Sequence, residues 1–201
     1  MFVLNYATVI DPLLRNIRIY TLEFSGMKAG DRVLDVCCAT GDQVIHYAKR
    51  GIVASGIDLS SGMIKLAEKN KRNQGLKNVS FQIADAVNLP FKDNFFDYAS
   101  ISFALHEKER AARDKITSEM KRVVKKGGAL IFIDFQVPLP SNLYICLVKT
   151  IEFMAGRKHY RCFRDYIKQG GLTEILKKNQ LVEEKRGYPN RLITVIKTGN
   201  P

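Results

Sequence analysis

The sequence predicts an α/β fold: a seven-stranded, mostly parallel sheet with helices on both faces and an antiparallel last strand. Three observations carry this. Strand-sized apolar runs alternate with segments of helical period along the 201 residues, which is the pattern of a parallel sheet wrapped by crossover helices. The run at 129–135 is almost continuously apolar, as in a strand buried on both faces. Finally, Val33-Leu34-Asp35-Val36 enters a turn of small residues, and a second apolar strand ends on Asp58. That spacing of about 20 residues is the wiring of a nucleotide-sized ligand site.

Residues 1–26 form an N-terminal helical extension in which Ile10, Leu13, Leu14, Ile17 and Leu22 recur at roughly helical spacing; it is expected to pack over the cleft. The strand at 32–36 is followed by a helix at 42–50, a strand at 52–57, a helix at 61–73 and a strand at 79–83. A break at Asn88-Leu89-Pro90 precedes the strand at 96–102. The helix at 111–124 carries Ile116, Met120, Val123 and Val124 on one face, and Gly127-Gly128 is expected to end it. After the strand at 129–135, a helical insert on the substrate side, residues 138–170, holds helices at 142–154 and 160–169. A helix at 172–178 and strands at 181–185 and 191–197 complete the chain. The link between those two strands is too short for a parallel crossover, so the last strand should run antiparallel.

A composition of 46% hydrophobic and 26% charged residues fits one globular domain spanning 1–201. The longest apolar stretches fall short of the roughly 18 residues of a membrane span, and Asp11 stands where a signal peptide would have its apolar core. Cys37 and Cys38 are adjacent, and Cys146 and Cys162 lack the paired close spacing of a zinc site. They read as reduced thiols in a cytoplasm, and no metal is expected. A cysteine-held acceptor, of the arsenic type, would need Cys146 or Cys162 at the cleft. The net charge of +12 suits nucleic acid or an anionic membrane surface as a partner. The cations are nevertheless dispersed over helix faces, as Lys65, Lys69, Lys71 and Arg72 show, so a solvated basic surface accounts for them equally well.

The first turn decides between cofactors. A dinucleotide site reads Gly-x-Gly-x-x-Gly because the pyrophosphate approaches bare backbone. Here Cys37, Ala39 and Gly41 alternate, so two such glycines are missing. Asp35 would repel a diphosphate but pairs well with an ammonium. Asp58 is placed to accept from ribose hydroxyls; its alternative role is to cap the helix beginning near Ser60. An ammonium and a ribose without phosphate describe S-adenosylmethionine.

These segments, with Gly56-Ile57-Asp58-Leu59-Ser60 and Met63, Ala84-Asp85-Ala86 with Leu89-Pro90-Phe91, Phe96-Asp97 and Lys125-Lys126-Gly127-Gly128, follow one another in the order of the class I S-adenosylmethionine-dependent methyltransferase motifs. Across roughly 30–135 the chain resembles that family, which implies a Rossmann-like fold. The Cys-Cys-x-Thr-Gly-Asp wording, with Asn5-Tyr6 and Asp11-Pro12, is similar to the ubiquinone/menaquinone C-methyltransferase branch. The family pattern Asp-x-Gly-x-Gly-x-Gly is broken at Cys37 and Ala39, and a Cβ is costly there if either position needs positive φ. The resemblance implies that Asp85, with Ala86, meets the adenine. Met63 lines the adenine pocket or is simple packing; Leu59 and Ser102 complete the expected cofactor-binding set.

Transfer from a sulfonium is an in-line displacement in which alignment does much of the work. A base is required only if the acceptor must lose a proton. His106, past the fourth strand, is the first candidate and His159 the second; for His106 an ordinary helix-start residue is the alternative. The cluster from Arg157 to Tyr166 mixes cations and aromatics, and core packing of Tyr160, Phe163 and Ile167 competes with a lid over the acceptor. Tyr6, Phe103, His106, His159, Tyr160 and Arg161 are the expected acceptor wall. The leading reading is methyl transfer to a small molecule, with a quinone-like or other lipid-soluble phenol as one acceptor class. An RNA or protein methyltransferase is the second, although residues 97–103 lack the Asn/Asp-Pro-Pro-aromatic signature of nucleobase-amine methylation. A non-catalytic S-adenosylmethionine-binding protein is the third.

Overall fold

The computed structural model describes residues 11–140 and 143–201. In chain order the elements are α1 (Asp11–Ser25), β1 (Arg32–Val36), α2 (Asp42–Ala48), β2 (Val53–Asp58), α3 (Ser61–Asn73), β3 (Val79–Ile83), β4 (Phe96–Ser102), a 3-10 turn (Leu105–Glu107) and α4 (Arg110–Val123). They continue with β5 (Val124–Phe135), α5 (Leu143–Met154), α6 (Arg157–Gln169), α7 (Gly171–Lys178), β6 (Glu183–Gly187) and β7 (Ile193–Gly199).

The seven strands form one sheet in the order β3-β2-β1-β4-β5-β7-β6. Pairings from β3 through β5 are parallel, whereas β7 runs antiparallel to both β5 and β6. The reversed last strand is the one that the short β6–β7 link requires. The chain winds from β1 outward to β3, then returns to place β4 on the other side of β1. This leaves a crevice at the carboxyl ends of β1 and β4, where ligands of open α/β sheets bind.

Period-2 alternation sends each strand's side chains to two cores. Val33 packs with Val44, Tyr47 and Ile64 on the α1–α3 side, while Leu34 and Val36 pack with Ile116 and Met120 on the α4 and α7 side. A third cluster joins Ile17 and Phe24 of α1 to Ile131, Ile133 and Val195. The apolar spacing of α1 therefore lays it against the sheet beside the crevice; Ile10, also expected there, lies outside the described residues. Among the described residues no helix is long and apolar enough to cross a membrane.

Several boundaries differ from the sequence reading, among them the start of α6, which lies at Arg157 and not at 160. Gly127-Gly128 does not end α4, which passes into β5 at Val124. The glycines instead form a bulge, with Phe96 opposite Val124 but Tyr98 opposite Ala129. Gly127 takes φ +74°, and a Cβ on Gly128 would lie 2.6 Å from the Asp97 carbonyl. The strands expected at 181–185 and 191–197 each begin two residues later. Leu181 closes the C-terminal turn of α7 by donating to the Leu176 carbonyl at 3.0 Å, and Asn190 Oδ1 accepts from the backbone of Leu192 and Ile193 to form the hairpin turn.

Gly128→Ala should lower stability by about 1–3 kcal/mol, the usual cost of overpacking. Urea unfolding with an unchanged m value checks it; a wild-type midpoint would show that the bulge has room.

Candidate active site

At the carboxyl end of β1, Asp35 is buried and its Oδ1 accepts from Ser100 Oγ of the neighbouring β4 at 2.6 Å. Burial pushes its carboxyl up to about 7, against the hydrogen bond from Ser100 and the charge of Arg18, both of which favour the ionised form. One loop further along the edge, Asp58 Oδ2 accepts from the Ala39 backbone at 3.0 Å and Oδ1 from the Ser60 backbone at 2.9 Å. Asp58 thus ties the β1–α2 loop to the β2–α3 loop. The side-chain cap of α3 comes from Ser60, whose Oγ accepts from Met63 N at 3.3 Å, so capping is not Asp58's task. Asp85 Oδ1 accepts from the Val87 backbone at 3.1 Å, and Asn88 N donates to the Asp85 carbonyl in the same turn.

The β1–α2 loop retains the backbone of a glycine-rich turn without its glycines. Cys37 has φ +60°, Ala39 +46° and Gly41 +74°. For residues with a Cβ this region costs roughly 1–2 kcal/mol each. Gly41 is also sterically required, because a Cβ would meet Phe81 Cζ at 2.4 Å. Phe103, just beyond β4, is likewise at φ +52°. A small cavity of about 30 Å³ lies between this loop and α1, lined among others by Leu14, Arg18, Asp35, Cys37, Gln43 and Ser102. Arg18 Nη1 also bonds Asp42 Oδ2, at 2.5 Å, which ties α1 to the start of α2. Burial raises the Cys37 thiol to about 12, so it is not a nucleophile, and all four cysteines are free. Cys162 is buried and Cys146 exposed.

On the other side of β4 the chain builds a polar cluster. His106, in the 3-10 turn, donates its backbone N–H to Asp134 Oδ2 at 3.1 Å, and its Nδ1 lies 2.6 Å from Asp134 Oδ1. Its Nε2 is 3.6 Å from Glu152 Oε2 of α5. Glu152 also bonds His159 Nε2 of α6, and His159 Nδ1 lies 3.5 Å from Glu107 Oε2. Burial opposes a charge on His106, but Asp134, Glu152 and Glu107 outweigh it and raise its pKa above the ordinary 6.5. Buried Arg113 locks this arrangement. It donates to the Leu105 carbonyl at 2.9 Å, the Cys162 carbonyl at 2.8 Å and Asp165 Oδ2 at 3.1 Å. Phe135, Phe163 and Tyr166 wall the His106 ring with centroid distances of 4.9, 6.0 and 6.3 Å.

Of the sequence-derived candidates, Asp35, Cys37, Ala39, Gly41 and Ser102 share the crevice edge, with Asp58 bonded to Ala39. Leu59 is 69% exposed at the tip of β2, Met63 is half-buried in the first turn of α3, and Ala86 is buried beside exposed Asp85. His106 and His159 meet, with ring centroids 5.8 Å apart. Tyr160 stacks on Phe163 at 6.4 Å, in a groove it shares with Phe153 and Arg161. Arg161 does not join the histidines: its side chain is 75% exposed and lies 3.7 Å from Glu109. Tyr6 lies outside the described residues. Sequence reasoning missed Arg18, Asp134, Glu152 and Arg113, since an acid in an apolar strand and a cation on a helix carry no local signature of their partners.

A sheet of this order, with acids ending β1 and β2 and no phosphate cradle, is the fold of S-adenosylmethionine-dependent methyltransferases. It superposes on a SAM-dependent methyltransferase from Aquifex aeolicus with a TM-score of 0.72 at 20% identity, covering 95% of this chain and 94% of that one. For geranyl diphosphate C-methyltransferase from Streptomyces coelicolor A3(2) the TM-score is 0.70 at 14% identity, with 94% and 81% covered. At such identities the agreement concerns fold. The model of the ubiE/COQ5 methyltransferase family matches residues 13–158; the chain belongs to this family, whose cofactor is S-adenosylmethionine. The ubiquinone/menaquinone biosynthesis C-methyltransferase of Idiomarina loihiensis is 35% identical over 129 residues, and that of Yersinia pestis 38% over 132. Each alignment covers 62% of this chain and 50% of the relative. The chain spans about half the length of these curated relatives.

The raised Asp35 pKa has a signed consequence. Between the usual carboxylate value and about 7, folded Asp35 holds a proton that the unfolded chain has released, so this group's contribution to stability falls as pH rises through that window. Asp35→Asn should remove that fall, and the stability of the variant relative to wild type should rise by up to about 3–4 kcal/mol from pH 4 to 7.5. Urea unfolding at the two pH values checks it, and a pH-independent difference would refute it. Ala39→Gly and Cys37→Gly should each leave stability unchanged or higher, whereas glycine elsewhere in a loop lowers it by about 0.4–1 kcal/mol. Lower melting temperatures for both would contradict the strain.

Proposed function

We propose that this chain transfers the methyl group of S-adenosylmethionine to a small acceptor, a quinone-like or phenolic ring. The observation that carries the reading is the pair Asp35 and Asp58 at adjacent strand ends, flanking a loop with glycine-like backbone at Cys37, Ala39 and Gly41. Asp35, with its Ser100 contact, is the partner for the cofactor's ammonium, and Asp58 for the ribose hydroxyls. The turn at Asp85 and Ala86, with exposed Leu59 and half-buried Met63 nearby along the edge, serves the adenine. Ser102 and the Cys37–Ala39 backbone border the methionine portion. Reduced cysteines accord with a cytoplasmic setting.

The acceptor meets Phe103, His106, His159 and Tyr160 in this reading. Aromatic walls suit a flat ring, and imidazole nitrogens suit its oxygens and the proton that a ring carbon releases on methylation. The relatives' printed activity, C-methylation in ubiquinone and menaquinone biosynthesis, supports that acceptor class.

Calorimetry should find S-adenosylmethionine binding that Asp58→Ala weakens roughly 10- to 100-fold. His106→Asn should reduce methyl transfer, followed by product mass over a panel of quinols and phenols, by roughly 100-fold or more while cofactor affinity stays near wild type. Undiminished cofactor binding in Asp58→Ala, or unchanged turnover in His106→Asn, would overturn these assignments.

A further inference from the structure

We propose that His106, Glu152 and His159 form a binding site for one divalent transition-metal ion of the zinc, cobalt or ferrous class. One ligand atom from each of His106, Glu152 and His159 lies within 4.8 Å of the other two. His106 Nε2 and Glu152 Oε2 are 3.6 Å apart, about the separation of two ligands on a tetrahedral ion with bonds near 2.0–2.2 Å. His159 Nε2 and Glu152 now share a hydrogen bond and separate by on the order of an ångström to admit the ion.

The surroundings are those of a metal centre. Asp134 Oδ1 takes Nδ1 of His106 at 2.6 Å, and Glu107 Oε2 lies 3.5 Å from Nδ1 of His159. The His106 ring therefore has its outer nitrogen held by a carboxylate, the carboxylate–histidine–metal arrangement that fixes tautomer and orientation; the outer nitrogen of His159 faces Glu107, and both inner nitrogens approach Glu152. Charge agrees: Glu107 is paired with Lys108 at 2.6 Å, and a dication that takes the Nε2 position of the His106 proton would balance buried Asp134 and Glu152 in its place. Two imidazoles and one carboxylate select transition metals over magnesium or calcium, and three protein ligands leave positions open.

The site is assembled from four elements. The 3-10 turn supplies His106, and β5 supplies Asp134. The α5–α6 hairpin supplies the rest, its turn at Gly156 setting Glu152 and His159 on facing helix ends. Only the ion's use rests on the methyl-transfer reading: with the ion bound both Nε2 atoms are ligands, so the imidazoles no longer serve as the base, and an open position beside the acceptor wall would instead hold a ring oxygen of the acceptor and favour its deprotonated form. The binding claim stands without it.

The test is titration of chelator-stripped protein with zinc sulfate and with cobalt chloride, alongside magnesium chloride. We expect one equivalent of zinc bound, a raised melting temperature, no competition from magnesium, and a visible cobalt band without the near-ultraviolet absorption of thiolate ligands. Glu152→Gln and His159→Gln should each weaken zinc at least 100-fold, Asp134→Asn about 10- to 100-fold, and His46→Gln not at all. Circular dichroism and S-adenosylmethionine calorimetry on the same samples establish that the variants fold. No zinc binding at micromolar concentration, or stoichiometric binding that survives both ligand variants, would overturn the site. Cofactor binding without metal binding would sink this proposal alone, and the reverse result would sink only the methyl-transfer reading.

Discussion

Five neighbouring strands run in one direction, so their carboxyl ends share one edge of the sheet, and the reversal between β1 and β4 opens a gap there. Every turn leaving that edge faces the same crevice. Residues far apart in the chain, from Arg18 to Ser102, become neighbours for this reason alone. Beyond β5 the sheet is extended sideways by the β6–β7 hairpin, whose reversed strand pairs along the whole apolar half of β5. Apolar packing covers both faces of the sheet, so polar side chains gather in the loops at the strand ends.

Burial at that edge is costly for polar groups, and the chain meets the cost differently at its two halves. Asp134 receives three donors, the backbone N–H groups of His106 and Phe135 and the His106 ring, so both of its buried oxygens are partnered. Asp35 has the Ser100 hydroxyl and the distant charge of Arg18, and its carboxyl is held protonated to about 7. A carboxyl left with so little compensation is one that an incoming cation would stabilise. The contrast is one of partners: Asp134 is tied to the histidine turn, and Asp35 to the neighbouring strand through Ser100.

Among the described residues five non-glycines take positive φ. Cys37, Ala39 and Phe103 do so at the mouths of β1 and β4, and Asn94 and Gln180 in turns elsewhere; the first three lack the usual relief of glycine. They hold that conformation because their neighbours are fixed. Asp58 grips the Ala39 N–H at 3.0 Å, and the Asn70 side chain donates to the Thr40 carbonyl at 3.1 Å. Arg113 performs the equivalent service for the histidine turn, where one rigid guanidinium donates to the Leu105 and Cys162 carbonyls and to Asp165.

Alternating apolar and helical periods determined the element order, the parallel sheet and the reversed last strand, because those depend on patterns local to each segment. The same locality made Asp35, Asp58, Gly41 and the first-turn departures at Cys37 and Ala39 legible. Boundaries near 124–129 and 181 were not, since a bulge and a closing helix turn depend on which strand lies opposite. The histidine cluster lay further out of reach. His106 and His159 were visible singly, but Glu152, Asp134 and Arg113 acquire meaning only when β5, α5 and α6 are packed around one turn. Arg161, grouped with His159 by its place in the sequence, points instead to solvent, because adjacent positions on a helix face in different directions. Local pattern selects the elements; convergence of side chains is decided by tertiary contact, which no single segment encodes.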